Sequence, residues 1–74
     1  MEDKIKQVLA DILNLDENSI DETLSQENVD NWDSLNHINI CLALEQEFNV
    51  TFDVSEIETM TSFIDILTTL QMKV

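Results

Sequence analysis

The 74-residue sequence predicts an all-α fold, a small bundle of three main helices plus one short helix, formed by a single domain over residues 1–74. Three observations support this prediction. Apolar residues recur at helical spacing in three segments, and no segment has a convincing strand pattern. A polar stretch over residues 16–33 lacks a helical period, which predicts a long loop between the first two helices. The chain contains no glycine and no proline, so Asn, Asp and Ser must form its turns.

The first predicted helix covers residues 2–15, where apolar side chains return every three or four positions between charged ones. These apolar residues are Ile5, Val8, Leu9, Ile12 and Leu13. Asn14 can form the turn that ends the helix. In the loop that follows, we expect Ile20 and Leu24 to insert into the core, because a loop of this length without an anchor is unusual in a compact domain.

The second predicted helix covers residues 34–48 and is apolar around most of its circumference. One stripe contains Leu35, Ile38, Leu42 and Glu45, and an adjoining stripe contains Cys41, Leu44 and Phe48. Such a helix is expected to lie at the centre of the bundle with neighbours on several sides, so that Leu42 is buried in the core. Asn49 can end this helix.

Two further helices are predicted in the last third of the chain. A short helix is capped by Asp53 or Ser55, and a last helix begins at Thr61 or Ser62 and reaches about Met72. The inward face of the last helix is expected to carry four apolar residues, Phe63, Ile64, Leu67 and Leu70.

The charge of the chain restricts its partners. Sixteen acidic residues and three lysines give a net charge of −13, and no lysine or arginine occurs between Gln7 and Met72. Nucleic acids and anionic membrane surfaces would be repelled, whereas basic proteins would be attracted over a long range. No apolar run approaches the roughly 20 residues that span a bilayer, so stable membrane insertion is not expected. The single cysteine excludes an internal disulfide, and we expect a cytoplasmic monomer.

A candidate site lies where the polar loop meets the second helix, at Trp32-Asp33-Ser34-Leu35. Asp33 is expected to cap the helix, which places Ser34 in the first turn with its hydroxyl facing water. The positive end of the helix dipole at this point suits a phosphate-bearing group. Asp-Ser pairs also cap many helices that have no chemistry. Trp32 is expected to be a packing anchor, and His37 a half-exposed surface residue.

Two other kinds of site are disfavoured by the same sequence. Ser34 and His37 could be neighbours on a helix, but no third group or oxyanion hole accompanies them, so the chain is not predicted to be an enzyme. Asp16 fits the first position of a calcium-binding EF-hand loop. Ile20 and Asp21 stand where that loop requires an oxygen ligand and a glycine, so no metal site is expected.

The central stretch resembles the acyl carrier protein family. An Asp33-Ser34-Leu35 triplet opens the second helix, which ends in the family's L-E-x-x-F pattern at residues 44–48. Val50, Phe52, Ile57 and the Thr61-Ser62-Phe63 segment also fit, over about residues 4–71. The resemblance implies a 4′-phosphopantetheine arm attached covalently to Ser34, with Asp33 beside it. The arm would hold an acyl group as a thioester, in a specialised fatty-acid, polyketide or lipid pathway.

The resemblance also implies partners, namely a phosphopantetheinyl transferase and acyl-activating or synthase enzymes with basic docking patches. The residues expected to contact them are Leu35, Asn36, Asn39, Glu45 and Glu47. Members that serve fatty-acid synthesis usually carry acids where Asn36 and Asn39 stand, which favours a specialised pathway. Two alternatives stay open: an aminoacyl, D-alanyl or peptidyl carrier, and a small acidic interaction module without a prosthetic group.

Overall fold

The computed structural model describes residues 1–74 and confirms the all-α prediction. Its four α-helices are α1 (Glu2–Leu13), α2 (Ser34–Phe48), α3 (Val54–Thr59) and α4 (Phe63–Lys73). Two short 3-10 segments, Glu17–Ser19 and Gln26–Asn28, lie in the loop between α1 and α2. None of the helices combines the length and the apolar composition needed to cross a membrane.

Asparagine replaces glycine at the ends of the two longest helices. Asn14 ends α1 and Asn49 ends α2, with φ values of 56° and 54° in the left-handed region. Asparagine tolerates this conformation better than most residues, so a glycine-free chain can still end its helices with a tight turn. Both predicted asparagine turns are confirmed, but α1 itself ends at Leu13, two residues before the predicted bound.

The long loop is fixed to the start of α4 by backbone hydrogen bonds. Phe63 N–H donates to the carbonyl of Leu24 at 2.9 Å, and Gln26 N–H donates to the carbonyl of Thr61 at 2.8 Å. Between these two bonds the side chain of Leu24 turns into the core, and Ile20 enters it from the preceding part of the loop. The predicted insertion of both side chains is confirmed.

Helix α2 buries one face instead of most of its circumference. Ile40, Cys41 and Leu44 pack into the core, and α1 is the main neighbour of α2. The opposite stripe faces solvent, and Leu42 is 53% exposed. The prediction that Leu42 lies in the core is therefore wrong. A chain of this size has only enough helices to cover one side of α2, because α4 packs against α1 instead.

The last helix is also turned relative to the prediction. Ile66 is buried together with Phe63 and Leu70, whereas Ile64 is 44% exposed. Leu67 is half-buried and packs at the edge of the core. The predicted inward face was thus correct for Phe63, Leu67 and Leu70 and wrong for Ile64.

The short helix α3 depends on its ends. Asp53 accepts a hydrogen bond from Glu56 N–H at 2.8 Å, and Glu56 in turn accepts one from Asp53 N–H at 3.0 Å. The bond from the Glu56 backbone and a second from the Ser55 hydroxyl hold the pKa of the Asp53 carboxyl below its usual value. Lys73 pairs with Glu56 at 2.9 Å, which ties α3 to the end of α4.

Replacing Leu44 by Ala should lower the free energy of unfolding by about 2–5 kcal/mol, because the side chain is fully buried. Leu42→Ala on the same helix is the matched control. It should cost less than about 1 kcal/mol, since a largely exposed side chain loses little burial. Urea unfolding followed by far-UV circular dichroism measures both variants. Equal costs would show that α2 has been oriented wrongly.

Candidate functional site

The junction before α2 has the predicted cap. Asp33 stands in extended conformation as the N-cap, and its Oδ1 accepts a hydrogen bond from Asn36 N–H at 2.9 Å. Ser34 is the first helical residue and is exposed to solvent. The N–H groups of Ser34 and Leu35 belong to the first turn, where a helix offers them no internal carbonyl. The site thus combines an accessible hydroxyl with backbone donors that can face an anion.

Trp32 and His37 contact each other on the buried side of this turn. Trp32 is the residue before the cap and His37 is the fourth residue of the helix. Side chains at these two positions often pack together as a hydrophobic staple. Trp32 Nε1–H donates to His37 Nδ1 at 3.0 Å, and the two rings stack with centroids 6.2 Å apart. The prediction that Trp32 is a packing anchor is confirmed.

The prediction that His37 lies half-exposed on the surface is wrong. Only 9% of the residue is exposed, and its second ring nitrogen, Nε2, lies 2.6 Å from the carbonyl oxygen of Ile57. Because both ring nitrogens are occupied, His37 cannot serve as a base for Ser34. One sequence signal could have revealed this burial. A buried tryptophan needs an acceptor for its indole N–H, and His37 lies one helical turn beyond the cap.

A chain of amide side chains covers the outer surface of the same turn. Asn36 Nδ2 donates to the carbonyl of Asn31 at 2.8 Å, and Asn39 Nδ2 donates to Asn36 Oδ1 at 3.3 Å. Asn31 is itself fixed to the end of α1, because its Nδ2 donates to the carbonyl of Leu13 at 3.1 Å. Asn36 and Asn39 therefore form an uncharged edge that runs from the loop onto α2.

The other predicted partner residues lie at two places. Leu35 is beside Ser34 and is 70% exposed. Glu45 and Glu47 lie about 16–20 Å further along the helix axis, at its far end. Glu45 Oε2 accepts a hydrogen bond from Phe52 N–H at 2.8 Å, and Glu47 pairs with Lys4 at 2.8 Å. The structure groups Leu35, Asn36 and Asn39 with Ser34, and it separates Glu45 and Glu47 from them.

Beyond the Asp33 cap, the exposed surface of α2 near Ser34 carries no carboxylate, lysine or arginine. Residues 34–44 contain no Asp, Glu, Lys or Arg, although the whole chain has a net charge of −13. The exposed side chains there are apolar or amides, because Leu35, Ile38 and Leu42 lie outward beside Asn39. Sequence reasoning missed Ile38 and Leu42 as surface residues because their spacing equally fits a buried stripe.

Cys41 lies in the core and not at the site. Burial, and to a smaller extent the nearby carboxylate of Glu45, raises the pKa of its thiol to about 11. A thiol with such a pKa is almost entirely protonated near neutrality and is a poor nucleophile. No group of three or more His, Cys, Asp or Glu side chains in residues 1–74 is placed to hold a metal ion.

Comparison with known proteins gives two consistent matches. A family model described as "Phosphopantetheine attachment site" matches residues 3–70. The chain is also 37% identical over 59 residues to "Polyketide-8 synthase acyl carrier protein 1" of Streptomyces avermitilis. That alignment covers 80% of this chain and 70% of the relative. The family match includes the capped turn at the start of α2.

The folded protein should react very slowly with a thiol reagent at pH 8. With a pKa of about 11, roughly one Cys41 side chain in a thousand is a thiolate at that pH, and the sulfur is also shielded from solvent. Absorbance with a disulfide-exchange reagent should show a single thiol only after urea is added. Cys41→Ser provides the blank. Rapid reaction of the folded chain would contradict the burial of Cys41.

Proposed function

The chain belongs to the acyl carrier protein family, whose members carry a covalent 4′-phosphopantetheine arm and are not enzymes, and on that premise we propose that Ser34 is the attachment point. The observation that carries this proposal is the exposed serine in the first turn of the longest helix, directly behind an Asp cap. The side chains of three of the other four serines form hydrogen bonds with residues nearby in the sequence. Ser19 and Ser55 donate to Asp16 and Asp53, and Ser62 caps α4.

Residues of this chain fit the phosphate of such an arm. The first N–H groups of α2 provide donors and a partial positive charge at Ser34. The carboxylate of Asp33 would repel a phosphate, but it is turned onto the backbone N–H of Asn36. When attached, the arm supplies a terminal thiol that can hold an acyl group as a thioester.

The function we propose is a shuttle for acyl groups between biosynthetic enzymes. The similarity to a polyketide synthase acyl carrier protein supports a polyketide pathway, with specialised fatty-acid or lipid synthesis as related possibilities. We propose that the chain is a single carrier domain that works as a cytoplasmic monomer. A net charge of −13 supports the monomer, because two copies would repel each other.

We propose that a phosphopantetheinyl transferase and synthase or acyl-activating enzymes dock on the first turns of α2. Leu35, Asn36 and Asn39 lie with Ser34 on the first two turns of α2 and are candidate contacts, and the exposed Ile38 adds to their surface. Basic residues of the partner would be attracted by the acidic chain as a whole. Glu45 and Glu47 remain candidate contacts at the far end of the helix, although each carboxylate already has a partner within the chain.

Attachment is tested by the intact mass of the protein. Incubation of the unmodified protein with coenzyme A and a broad-specificity transferase should add one arm, and Ser34→Ala should receive none. Ser62→Ala is the matched control, because it removes a helix-start serine elsewhere and should still be modified. An unmodified wild type, or an arm added to Ser34→Ala, would exclude this proposal and favour an interaction module without a prosthetic group.

The docking surface is tested by restoring acids at the two amide positions. Asn36→Asp with Asn39→Glu should speed modification by a transferase specialised for fatty-acid carriers, because the new charges face its basic residues. The gain should shrink as salt shortens the Debye length to about 10 Å at 0.1 M. The rate of modification, measured for both proteins over a series of salt concentrations, gives the size of this gain.

The matched control for net charge is Ile64→Asp with Thr68→Glu, which adds two acids to exposed positions on α4. A local docking effect should appear in the α2 variant and not in the α4 variant. Equal rates for the α2 variant and wild type at low salt would show that the docking surface lies elsewhere. Ser34 could still be the attachment point in that case.

A further inference from the structure

We propose that His37 is a positioning residue for arm attachment, which holds the turn carrying Ser34 in a fixed orientation against α3. This inference rests on the proposed attachment at Ser34. His37 is the one histidine of the chain and is almost fully buried. Its two ring nitrogens bond to Trp32 and Ile57, neither of which belongs to the proposed docking surface.

The two hydrogen bonds of His37 require a single form of its ring. The indole N–H of Trp32 can only donate, so His37 Nδ1 must accept. The carbonyl of Ile57 can only accept, so His37 Nε2 must carry the proton and donate. The ring is therefore neutral with its proton on Nε2, and this form satisfies both partners at once. Any other form leaves a buried donor or acceptor unpaired, which is costly.

These bonds connect the attachment turn to a second helix. Trp32 lies two residues before Ser34, and His37 lies three residues after it. The bond between them spans the turn on its buried side, behind the exposed serine, and the bond to Ile57 connects this turn to α3. The backbone N–H of His37 also donates to the carbonyl of Asp33 at 2.8 Å, which fixes the cap in the same unit.

Helix α3 needs this connection in return. It has six residues, too few to be stable as an isolated helix in water. Its last turn is held on one side by the bond from His37 to Ile57, and Lys73 holds Glu56. Removing the imidazole would therefore free both the last turn of α3 and the indole of Trp32.

The consequence for attachment is kinetic. The oxygen of Ser34 forms a bond to the phosphorus that carries the pantetheine of coenzyme A. The phosphoanhydride bond from that phosphorus breaks, adenosine 3′,5′-bisphosphate leaves with the bridging oxygen, and the transferase takes the hydroxyl proton. This displacement requires the serine oxygen in line with the leaving group, so a loosened turn lowers kcat. The contacts that bind the transferase lie outside, so KM should change little.

The experiment compares His37→Leu, His37→Gln and wild type at a temperature where circular dichroism shows all of them folded. Modification by a broad-specificity transferase with coenzyme A is followed by intact mass. We expect His37→Leu to lose about tenfold in kcat with KM within about twofold. His37→Gln should recover most of the rate, because its amide can accept from Trp32 and donate to Ile57.

An independent readout follows the hydrogen bond itself. Trp32 is the only tryptophan, so its indole N–H gives a single signal in a ¹⁵N-resolved NMR spectrum. That proton should exchange slowly with water in wild type and His37→Gln, and rapidly in His37→Leu. If His37→Leu does not fold, Trp32→Phe removes the same bond while keeping an aromatic ring, and its kcat should fall.

Ile66→Val is the control for stability alone, because it loosens the core at a buried residue of a different helix, α4. It should keep the wild-type kcat. Normal kcat in folded His37→Leu or Trp32→Phe, or an equal loss in Ile66→Val, would overturn the positioning role while leaving attachment at Ser34 intact. A wild type that receives no arm would instead overturn the proposed function, and the exchange of the indole proton would still decide whether His37 holds the turn.

Discussion

A buried indole N–H must find an acceptor, and the arrangement around Ser34 depends on where Trp32 finds one. The acceptor is a ring nitrogen of His37, whose other nitrogen then bonds to Ile57. One side chain thus joins the end of the long loop, the first turn of α2 and the last turn of α3. No buried side-chain donor or acceptor is left without a partner. In a domain with a small core, a fully hydrogen-bonded network of this kind fixes the position of the first turn of α2 more closely than apolar packing alone would.

The distribution of charge separates two surfaces of the molecule. Two of the three lysines are used internally, because Lys4 pairs with Glu47 and Lys73 pairs with Glu56. These pairs join α1 to α2 and α4 to α3. The remaining surface is dominated by carboxylates, except along residues 34–44, where no side chain is charged. A basic protein would be attracted by the whole acidic domain, whereas the exposed part of residues 34–44 offers mainly apolar and amide groups.

Sequence periodicity predicted the helices and the cap because these depend on neighbours along the chain. Asp33, Asn14 and Asn49 act through backbone groups within four residues, so local reasoning placed them correctly. The orientation of α2 could not be predicted in this way. Leu42 and Leu44 are equally apolar, and only the position of α1 decides which of them is buried. The burial of His37 was missed because its second hydrogen-bond partner, Ile57, lies twenty residues away.

The backbone bonds between the long loop and the start of α4 also affect how the chain folds. Leu24 and Phe63 are separated by more than half of the sequence, so this pairing closes a large loop of chain. Helices α1 and α2 can form locally in well under a millisecond, but closing that loop has an entropic cost which only the completed core offsets. During synthesis, the loop cannot reach its native conformation until Phe63 has left the ribosome. The turn that carries Ser34, which begins where this loop ends, therefore reaches its final form only when the domain is nearly complete.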